Sequence, residues 1–311
     1  MKQTRHFRKL RRDSLRGKGG KPLLWRHQNW RTGFSCIGAA GTLSFDMTFA
    51  HILLLAAVQG LTEFIPVSSS GHLNLVHAMT DLADHGVGMD VALHAGTLVA
   101  VMAYFRRDTR DLLAGGVDIL RRHPTPRARQ SGFLILATVP VLLVAAAWMA
   151  SGAYDSLRTV QVVAWASIVF AIPLYLADRY GATHLKLEAM GMRPALIIGV
   201  AQILALIPGA SRSGVTLMAA RGLGFSRQEA ARFSMLLSMP VIFCFALVGL
   251  LELVRDGDTT VLSHAAMGAG LAAVFAFLAI DVFMRMMRHM SLLPFVIYRI
   301  GLGLALLALI N

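Results

Sequence analysis

The stretch "QGLTEFIPVSSSGHL", residues 59–73, places a carboxylate, three hydroxyls and an imidazole inside an otherwise apolar run. Proline removes a backbone donor and glycine loosens a helix, so a helix that begins near residue 49 is expected to break at "IPVSSSG" and resume as a second arm. Non-helical backbone at membrane depth survives only where protein buries it or where it lines a wet cavity. The sequence therefore predicts a re-entrant helix–loop–helix hairpin over 49–79.

A second stretch, 194–222, has the same design and breaks at "IPGASRSG". When the first stretch is moved by 143 residues onto the second, no gap is needed. The identical pairs are Gln59 and Gln202, Leu61 and Leu204, Ser68 and Ser211, Ser70 and Ser213, and Gly71 and Gly214. Each copy precedes three apolar segments, and an odd number of crossings inverts the second copy. This predicts an inverted-topology repeat (about 49–177 and about 194–310) whose breaks meet near the membrane midplane.

Composition agrees with a membrane protein. The 311 residues are 56% hydrophobic and 15% charged, whereas soluble domains carry about 25% charge. Six segments approach the roughly 20 apolar residues of a spanning helix: 89–105, 132–151, 159–177, 234–254, 263–283 and 292–310. These helix-length runs argue against a β-barrel. We predict an all-α integral membrane protein with six transmembrane helices and two re-entrant hairpins. The two cysteines, Cys36 and Cys244, exclude a disulfide framework or a zinc site.

The charged connections predict the orientation. The connection 106–131 holds seven arginines, and 178–193 and 284–291 are also basic, so all three are expected in the cytoplasm. The acidic or balanced connections are expected outside: 80–88, 152–158 and 255–262. The first hairpin then opens from the outer face and the second from the inner face.

The N-terminal segment 1–46 is strongly basic, with eleven lysines and arginines against Asp13 and Asp46. A disordered arm, a poor signal peptide, or a natural start at Met47 would each account for it. An arm that binds nucleic acid is the weakest interpretation, and we expect no nucleic-acid partner. The orientation above would place this tail outside, and such a charge is hard to translocate, which favours a start-site artefact. Residues 47–311 are predicted to form a single membrane domain.

Ionisable groups at membrane depth cost several kcal/mol and usually serve function. Glu63, His72 and Arg212 are the candidates within the two hairpins. The "SSSGH" and "GASRSGVT" sequences also offer hydroxyls and free backbone N–H groups at a helix start, which bind phosphate, and arginine adds a planar fork. Helix capping alone would need only one hydroxyl. The predicted phosphate-binding hydroxyls are those of Ser68, Ser70, Ser211, Ser213 and Thr216.

The role of Glu63 is open at this stage. Gln59 and Glu63 are four residues apart on one helical face and are predicted to point into a polar cavity. Because a carboxylate repels an anion, Glu63 could hold a divalent cation that bridges to the phosphate, or it could act as a base. Ser69 could be a nucleophile whose proton His72 exchanges, or His72 could activate water or cap a carbonyl. Asp90, His94 and Thr97 share a helical face that either lines the cavity or packs.

Two long blocks resemble a known family. "QGLTEFIPVSSSGHL" and "PGASRSGVT" (208–216) are similar to the two signature blocks of undecaprenyl-diphosphate phosphatase, the bacitracin-resistance membrane family. The segment "DVALHAGTLVAVMAYFRRD" (90–108) resembles the region between those blocks. The resemblance covers about residues 47–311, in the family's order, and excludes 1–46.

The resemblance implies a bacterial inner-membrane enzyme that hydrolyses undecaprenyl diphosphate to the monophosphate on the periplasmic side. It implies a dependence on Mg²⁺ or Ca²⁺, with Glu63 and Gln59 at the metal-binding positions. Gln59 stands where the family has Glu or Gln, which weakens a two-carboxylate site. The resemblance also implies Ser69 as nucleophile, His72 as its histidine and Arg212 as the phosphate-binding arginine. A homodimer is compatible with the sequence. The main alternative is a secondary transporter or a polyprenyl-phosphate flippase, because inverted hairpins are also transporter architecture.

Overall fold

The computed structural model of the protein describes residues 49–79, 86–151, 157, 159–256 and 259–310. The predictions for 1–46 and for most of the connections 80–88 and 152–158 lie outside these residues. The described part of the chain is helical, with one isolated β-bridge between Leu185 and Phe225. Its helices, in chain order, are α1 Phe49–Thr62, α2 Ser69–Met79, α3 Gly86–Tyr104, α4 Arg106–Leu120, α5 Pro126–Ser151, α6 Val160–Tyr180, α7 Met192–Gln202, α8 Arg212–Gly222, α9 Arg227–Asp256, α10 Thr259–His289 and α11 Leu293–Ile310, with 3₁₀ turns at Leu187–Ala189 and Ile203–Leu206.

Among the described residues, five helices are long and apolar enough to cross a membrane, and their number rises to six if the bent pair of α3 and α4 is one span. The five are α5, α6, α10, α11 and the first part of α9. The all-α membrane fold predicted from the sequence is confirmed. The arginine-rich connection 106–131 differs from a simple loop, because Arg106–Leu120 forms a helix that leaves α3 at 98°.

Both predicted helix breaks are present. Residues 63–68 separate α1 from α2, and residues 207–211 separate the 3₁₀ extension of α7 from α8. Each hairpin therefore consists of two short helices joined by a Pro- and Ser-containing turn. The re-entrant course of these hairpins in a bilayer stays a prediction.

The two breaks share one backbone conformation. Ser68 and Ser211, which are 143 residues apart, both have a positive φ, of 74° and 68°. This left-handed conformation is uncommon outside glycine. Each serine Oγ accepts a hydrogen bond from the backbone N–H three residues later, at 3.3 Å from Gly71 and 3.2 Å from Gly214. The repeat found in the sequence is thus also a repeat of local structure.

The first arm of each hairpin packs against a helix of the other repeat. The first arm of hairpin 1, α1, packs against α10, and its counterpart α7 packs against α5. Gly60 lies against the α10 backbone and Gly199 against the backbone of Ala137 in α5, with no room for a Cβ at either glycine. Small residues at such positions let membrane helices approach closely. These contacts hold both breaks inside the bundle.

The C-terminal end of α8 is fixed by a buried ion cluster. Arg221, which is fully buried, donates to the carboxylate of Asp178 at 3.3 Å. Asp178 also accepts from Arg227 at 2.6 Å and from the backbone N–H of Leu292 at 2.9 Å. The cluster joins α6, α8 and α9 to the turn before α11, so α8 presents its N-terminal residue, Arg212, from a rigid support.

Candidate active site

The two hairpin breaks meet at the carboxylate of Glu63, the first residue after α1. Glu63 Oε2 accepts from Gln59 Nε2 at 3.0 Å and from Ser69 Oγ at 2.9 Å. Its other oxygen, Oε1, lies 3.3 Å from Nη2 of Arg212 in the second hairpin. A carboxylate, a hydroxyl and a guanidinium from three helix ends therefore converge, and Glu63 is largely buried. The structure brings Glu63, Ser69 and Arg212 together.

Arg212 is held by a second acceptor on another helix. Its Nη1 donates to the backbone carbonyl of Ser234 in α9 at 3.4 Å. Ser213 donates to the carbonyl of Ile65 at 3.0 Å, which ties the second hairpin directly to the first break. These contacts orient the guanidinium toward the centre of the site.

The remaining predicted hydroxyls differ in their surroundings. Ser68 and Ser70 share a hydrogen bond at 3.2 Å, as do Ser211 and Ser213. Thr216 is fully buried and lies 2.6 Å from the hydroxyl of Ser234, so it braces α8 against α9. Four of the five predicted hydroxyls therefore lie at the breaks, whereas Thr216 is turned into the protein.

His72 does not pair with Ser69 among the described contacts. Its Nδ1 lies 2.7 Å from the carbonyl oxygen of Ser68, so this nitrogen donates. Its Nε2 lies 2.6 Å from the hydroxyl of Tyr298 in α11, and the two rings are nearly parallel. Both ring nitrogens of His72 therefore have other partners in the structure, and the acceptor that the Ser69 hydroxyl reaches is Glu63 Oε2.

Of the three polar residues on α3, His94 reaches the site. Its Nε2 lies 3.7 Å from Glu63 Oε2, and its Nδ1 donates to the backbone oxygen of Asp90. Thr97 is buried and donates to the carbonyl of His94 within the same helix. The helical face of Asp90, His94 and Thr97 thus contributes His94 to the surroundings of the carboxylate.

Three residues near the site were missed from the sequence: Ser234, Tyr298 and Arg299. Arg299 is fully buried in α11 and donates to backbone carbonyls of both breaks. A signal existed for it, because an arginine inside the apolar run "FVIYRIGLGLALL" is an ionisable group at membrane depth. Ser234 and Tyr298 carry no such local signal.

The residues present fit a divalent cation that binds together with its substrate. Among the described residues, no three His, Cys, Asp or Glu side chains cluster as a metal cage. The Oε1 of Gln59 is buried without a hydrogen-bond partner, beside the Glu63 carboxylate. Mg²⁺ and Ca²⁺ prefer oxygen ligands, and Mg²⁺ is often held by one or two carboxylates plus substrate phosphates. Glu63, Gln59 and Ser69 could supply the protein's share of such a site.

Comparisons with known proteins agree with this geometry. The family model described as "Bacitracin resistance protein BacA" matches residues 52–305. The chain is 48% identical over 264 residues to an "Undecaprenyl-diphosphatase" of Maricaulis maris, covering 84% of this chain and 98% of that protein. It is 45% identical to the protein of that name from Ruegeria pomeroyi, covering 85% of this chain and 99% of the relative. With a match of this length, and with both breaks and the site inside it, the chain belongs to the bacitracin resistance protein BacA family.

Proposed function

We propose that the protein hydrolyses undecaprenyl diphosphate to undecaprenyl phosphate and inorganic phosphate. The activity is that named for its relatives, and it recycles the lipid carrier of cell-wall synthesis and confers resistance to bacitracin. The observation that carries the proposal is the convergence of Glu63, Ser69 and Arg212 where the two breaks meet. A nucleophile, a base and a cationic phosphate clamp are the groups that this hydrolysis needs.

The geometry favours attack by Ser69. Arg212 and the N–H groups at the starts of α2 and α8 bind the terminal phosphate. The Ser69 oxygen bonds to the terminal phosphorus, its proton passes to Glu63 Oε2, and the P–O bond to undecaprenyl phosphate breaks. Glu63 gives this proton to the departing undecaprenyl phosphate and is again a carboxylate. Water then attacks the phosphoserine, and Glu63 takes a proton from the water and passes it to the Ser69 oxygen as the P–O bond to serine breaks. Inorganic phosphate leaves, and Ser69 regains its hydrogen.

The position of the site suits a lipid substrate. A C55 chain is insoluble in water, so the diphosphate must enter a polar chamber while its tail stays among apolar groups. We place that chamber at the hairpin breaks, whose polar groups would line it, and the helices around them expose large apolar side chains, among them Val99, Leu143 and Val274. This arrangement supports lateral entry of the substrate from the bilayer.

We also propose that a divalent cation, Mg²⁺ or Ca²⁺, is held by Glu63 and Gln59 together with the substrate. When bound, it would neutralise charge on the diphosphate oxygens. Removal of the cation with EDTA is expected to abolish phosphate release, and titration with Mg²⁺ or Ca²⁺ to restore it. Because Glu63 is also the proposed proton acceptor, Gln59→Ala is the test of the cation site, and its titration curve should shift to a higher Mg²⁺ or Ca²⁺ concentration. A turnover unaffected by EDTA would rule out the cation.

The proposed location is the bacterial inner membrane, with the site accessible from the periplasmic side. The support is the charge distribution, since the seven arginines of 106–131 favour a cytoplasmic position for that connection. The first hairpin, which carries Ser69, would then open to the periplasm.

Phosphate release from undecaprenyl or farnesyl diphosphate in detergent tests the proposed function. We expect release by the wild type and its loss in Arg212→Ala and Ser69→Ala, with thermal unfolding unchanged. His72→Ala is also expected to lower the rate, because His72 fixes the carbonyl of Ser68 beside the nucleophile. Substrate binding without release would contradict hydrolysis and favour a transporter or flippase, which the inverted repeat would equally suit.

A further inference from the structure

Arg299 lies in the middle of α11 with none of its surface exposed. Within the part of the chain that the structure describes, its guanidinium donates hydrogen bonds to backbone carbonyls only. The acceptors are Pro66 (3.5 Å), Ala166 (3.4 Å), Ser167 (3.2 Å), Gly209 (3.0 Å) and Ala210 (2.9 Å). Buried arginine is expensive unless its donors are satisfied, and here all three nitrogens have partners.

The acceptors come from both repeats. Pro66 belongs to the first break, and Gly209 and Ala210 belong to the second. The helix breaks leave these carbonyls without the acceptor role that they would have in a continuous helix. The Arg299 guanidinium therefore donates hydrogen bonds to carbonyl oxygens of both hairpins. It also connects the hairpins to α6, through the carbonyls of Ala166 and Ser167.

The charge of Arg299 is not neutralised by an anion. Within the described part of the chain, no carboxylate pairs with it, whereas the guanidinium of Arg212 faces Glu63 and that of Arg221 faces Asp178. The charge lies close to Ser68 and Ser211, because its Nη1 contacts the carbonyl of Pro66, two residues before Ser68, and that of Ala210, immediately before Ser211. Carbonyl dipoles compensate this charge only partly, so a net positive potential remains behind the serine hydroxyls of the two breaks.

We propose that Arg299 is a positioning residue for the hydrolysis. It fixes the position of the two breaks relative to each other, so that Ser69 and Arg212 face one phosphate; we call this the lock. Its charge also adds to the positive potential that attracts the diphosphate. The part that concerns the substrate rests on the proposed function, whereas the lock is a property of the protein alone.

The lock can be measured without any turnover. Leu61 and Leu204 are equivalent positions in the two hairpins, and both side chains are partly exposed, at 43% and 40%. Spin labels on Leu61→Cys and Leu204→Cys, in the full chain with Cys36→Ser and Cys244→Ala, report the distance between the hairpins by pulsed electron paramagnetic resonance. We expect one narrow distance distribution for otherwise wild-type protein and a broadened one for Arg299→Lys, since an ammonium cannot span five carbonyls.

The values of kcat and KM distinguish the effect of the lock from the effect of the Arg299 charge. Arg299→Lys keeps the charge, so KM should stay within about twofold while kcat falls about 10- to 100-fold, the loss expected from a displacement of about 1 Å. Arg299→Gln removes the charge as well and should also raise KM. Arg212→Lys is the matched control, because it should lower turnover and leave the distance distribution narrow.

A second perturbation keeps Arg299 itself. A Cβ on Gly214 would lie 2.9 Å from Arg299 Nη1, so Gly214→Ala displaces the fork, whereas Gly301→Ala on α11 meets nothing within 4 Å. We expect Gly214→Ala to broaden the distribution and lower kcat, and Gly301→Ala to change neither. If Arg299→Lys and Gly214→Ala both keep the wild-type distribution, the lock is refuted, whatever the activity. If the lock is present but the wild type releases no phosphate, only the proposed function fails.

Discussion

At the scale of single residues, Arg212 gains its importance from two acceptors on different elements. One nitrogen faces Glu63 Oε1 in the first break, and the other faces the carbonyl of Ser234 on α9. This fixes the plane of the guanidinium, so that its free edge can present two parallel donors to a phosphate. A point charge at the same place would attract the phosphate without orienting it.

Arg212→Lys is therefore expected to lose most of the activity although it keeps the charge. We predict a fall in kcat/KM of about 100-fold, because a lysine ammonium cannot reproduce bidentate contacts. The initial rate of phosphate release at several substrate concentrations measures it. Arg107→Lys, an exposed position on α4, is the matched control and should retain wild-type kinetics. Near-normal turnover of Arg212→Lys would refute bidentate phosphate binding by the Arg212 guanidinium.

Ser69 and Ser70 are neighbours with different contacts, so substitutions at these two positions can be compared directly. Ser69 donates to Glu63, whereas Ser70 only shares a hydrogen bond with Ser68. We predict that Ser69→Ala lowers kcat by at least about 1000-fold, as for loss of a nucleophile, and that Ser70→Ala lowers it by about tenfold or less. Rapid acid quench followed by mass spectrometry should detect phosphate on Ser69 in the wild type. Retention of substantial turnover in Ser69→Ala would support attack by water.

The sequence was sufficient to predict the residues at the breaks but not all of their partners. Glu63, Ser69 and Arg212 stood out because polar groups accumulate where a membrane helix is interrupted. The pairing of His72 with Tyr298, which is 226 positions later in the chain, depends on how α2 packs on α11, and no local pattern encodes that. Arg299 could have been found as a lone cation in an apolar helix.

At the scale of elements, glycine positions determine how closely the hairpins approach the bundle. A Cβ on Gly199 of α7 would lie 2.6 Å from the backbone of Ala137 in α5. Gly132, which is also on α5, meets nothing within 4 Å. Two glycines within the same helix pair therefore have opposite tolerance for a methyl group.

Gly199→Ala is expected to push α7 away from α5 and destabilise the protein by about 1–3 kcal/mol. Thermal unfolding in detergent, followed by the circular dichroism of the helices, measures the change. Gly132→Ala should leave the unfolding temperature unchanged or slightly higher, since alanine favours helix over glycine. Equal stability of the two variants would mean that the close approach of α7 and α5 is wrong.

The element that the sequence described least well is α4. Its arginines identified 106–131 as a connection, but Leu113, Val117 and Leu120 recur at helical spacing and all three are exposed in the structure. The positive-inside rule counts arginines in a connection and ignores the spacing of its apolar residues. The helical spacing in α4 was therefore overlooked. The broken helices, by contrast, follow from proline, glycine and serine chemistry and were predicted at the correct residues.

At the scale of the whole molecule, the 143-residue repeat predicted from five identities is supported by the matching backbone of Ser68 and Ser211. The repeat pattern could not predict which helices the hairpins contact. A hairpin can pack on its own repeat or on the other one, and both choices leave the same sequence periodicity. The exchange of α1 onto α10 and α7 onto α5 is therefore known only from the structure.

The proposed orientation predicts which end of α5 faces the outside. Ser151 and His123 are exposed and lie beyond opposite ends of the apolar part of α5. In a background with Cys36→Ser and Cys244→Ala, a membrane-impermeant maleimide should label Ser151→Cys in cells with a permeabilised outer membrane. His123→Cys should react only after the inner membrane is disrupted. The reverse labelling pattern would invert the orientation and move the opening of the first hairpin to the cytoplasm.

The Glu63 carboxylate competes with every phosphate for the guanidinium of Arg212, since the two side chains already touch at 3.3 Å. A departing phosphate ion or lipid monophosphate would thus be replaced by an intramolecular partner of Arg212. We expect this exchange to lower the barrier to dissociation and to keep product inhibition weak, so that phosphate release continues while undecaprenyl phosphate accumulates in the surrounding bilayer.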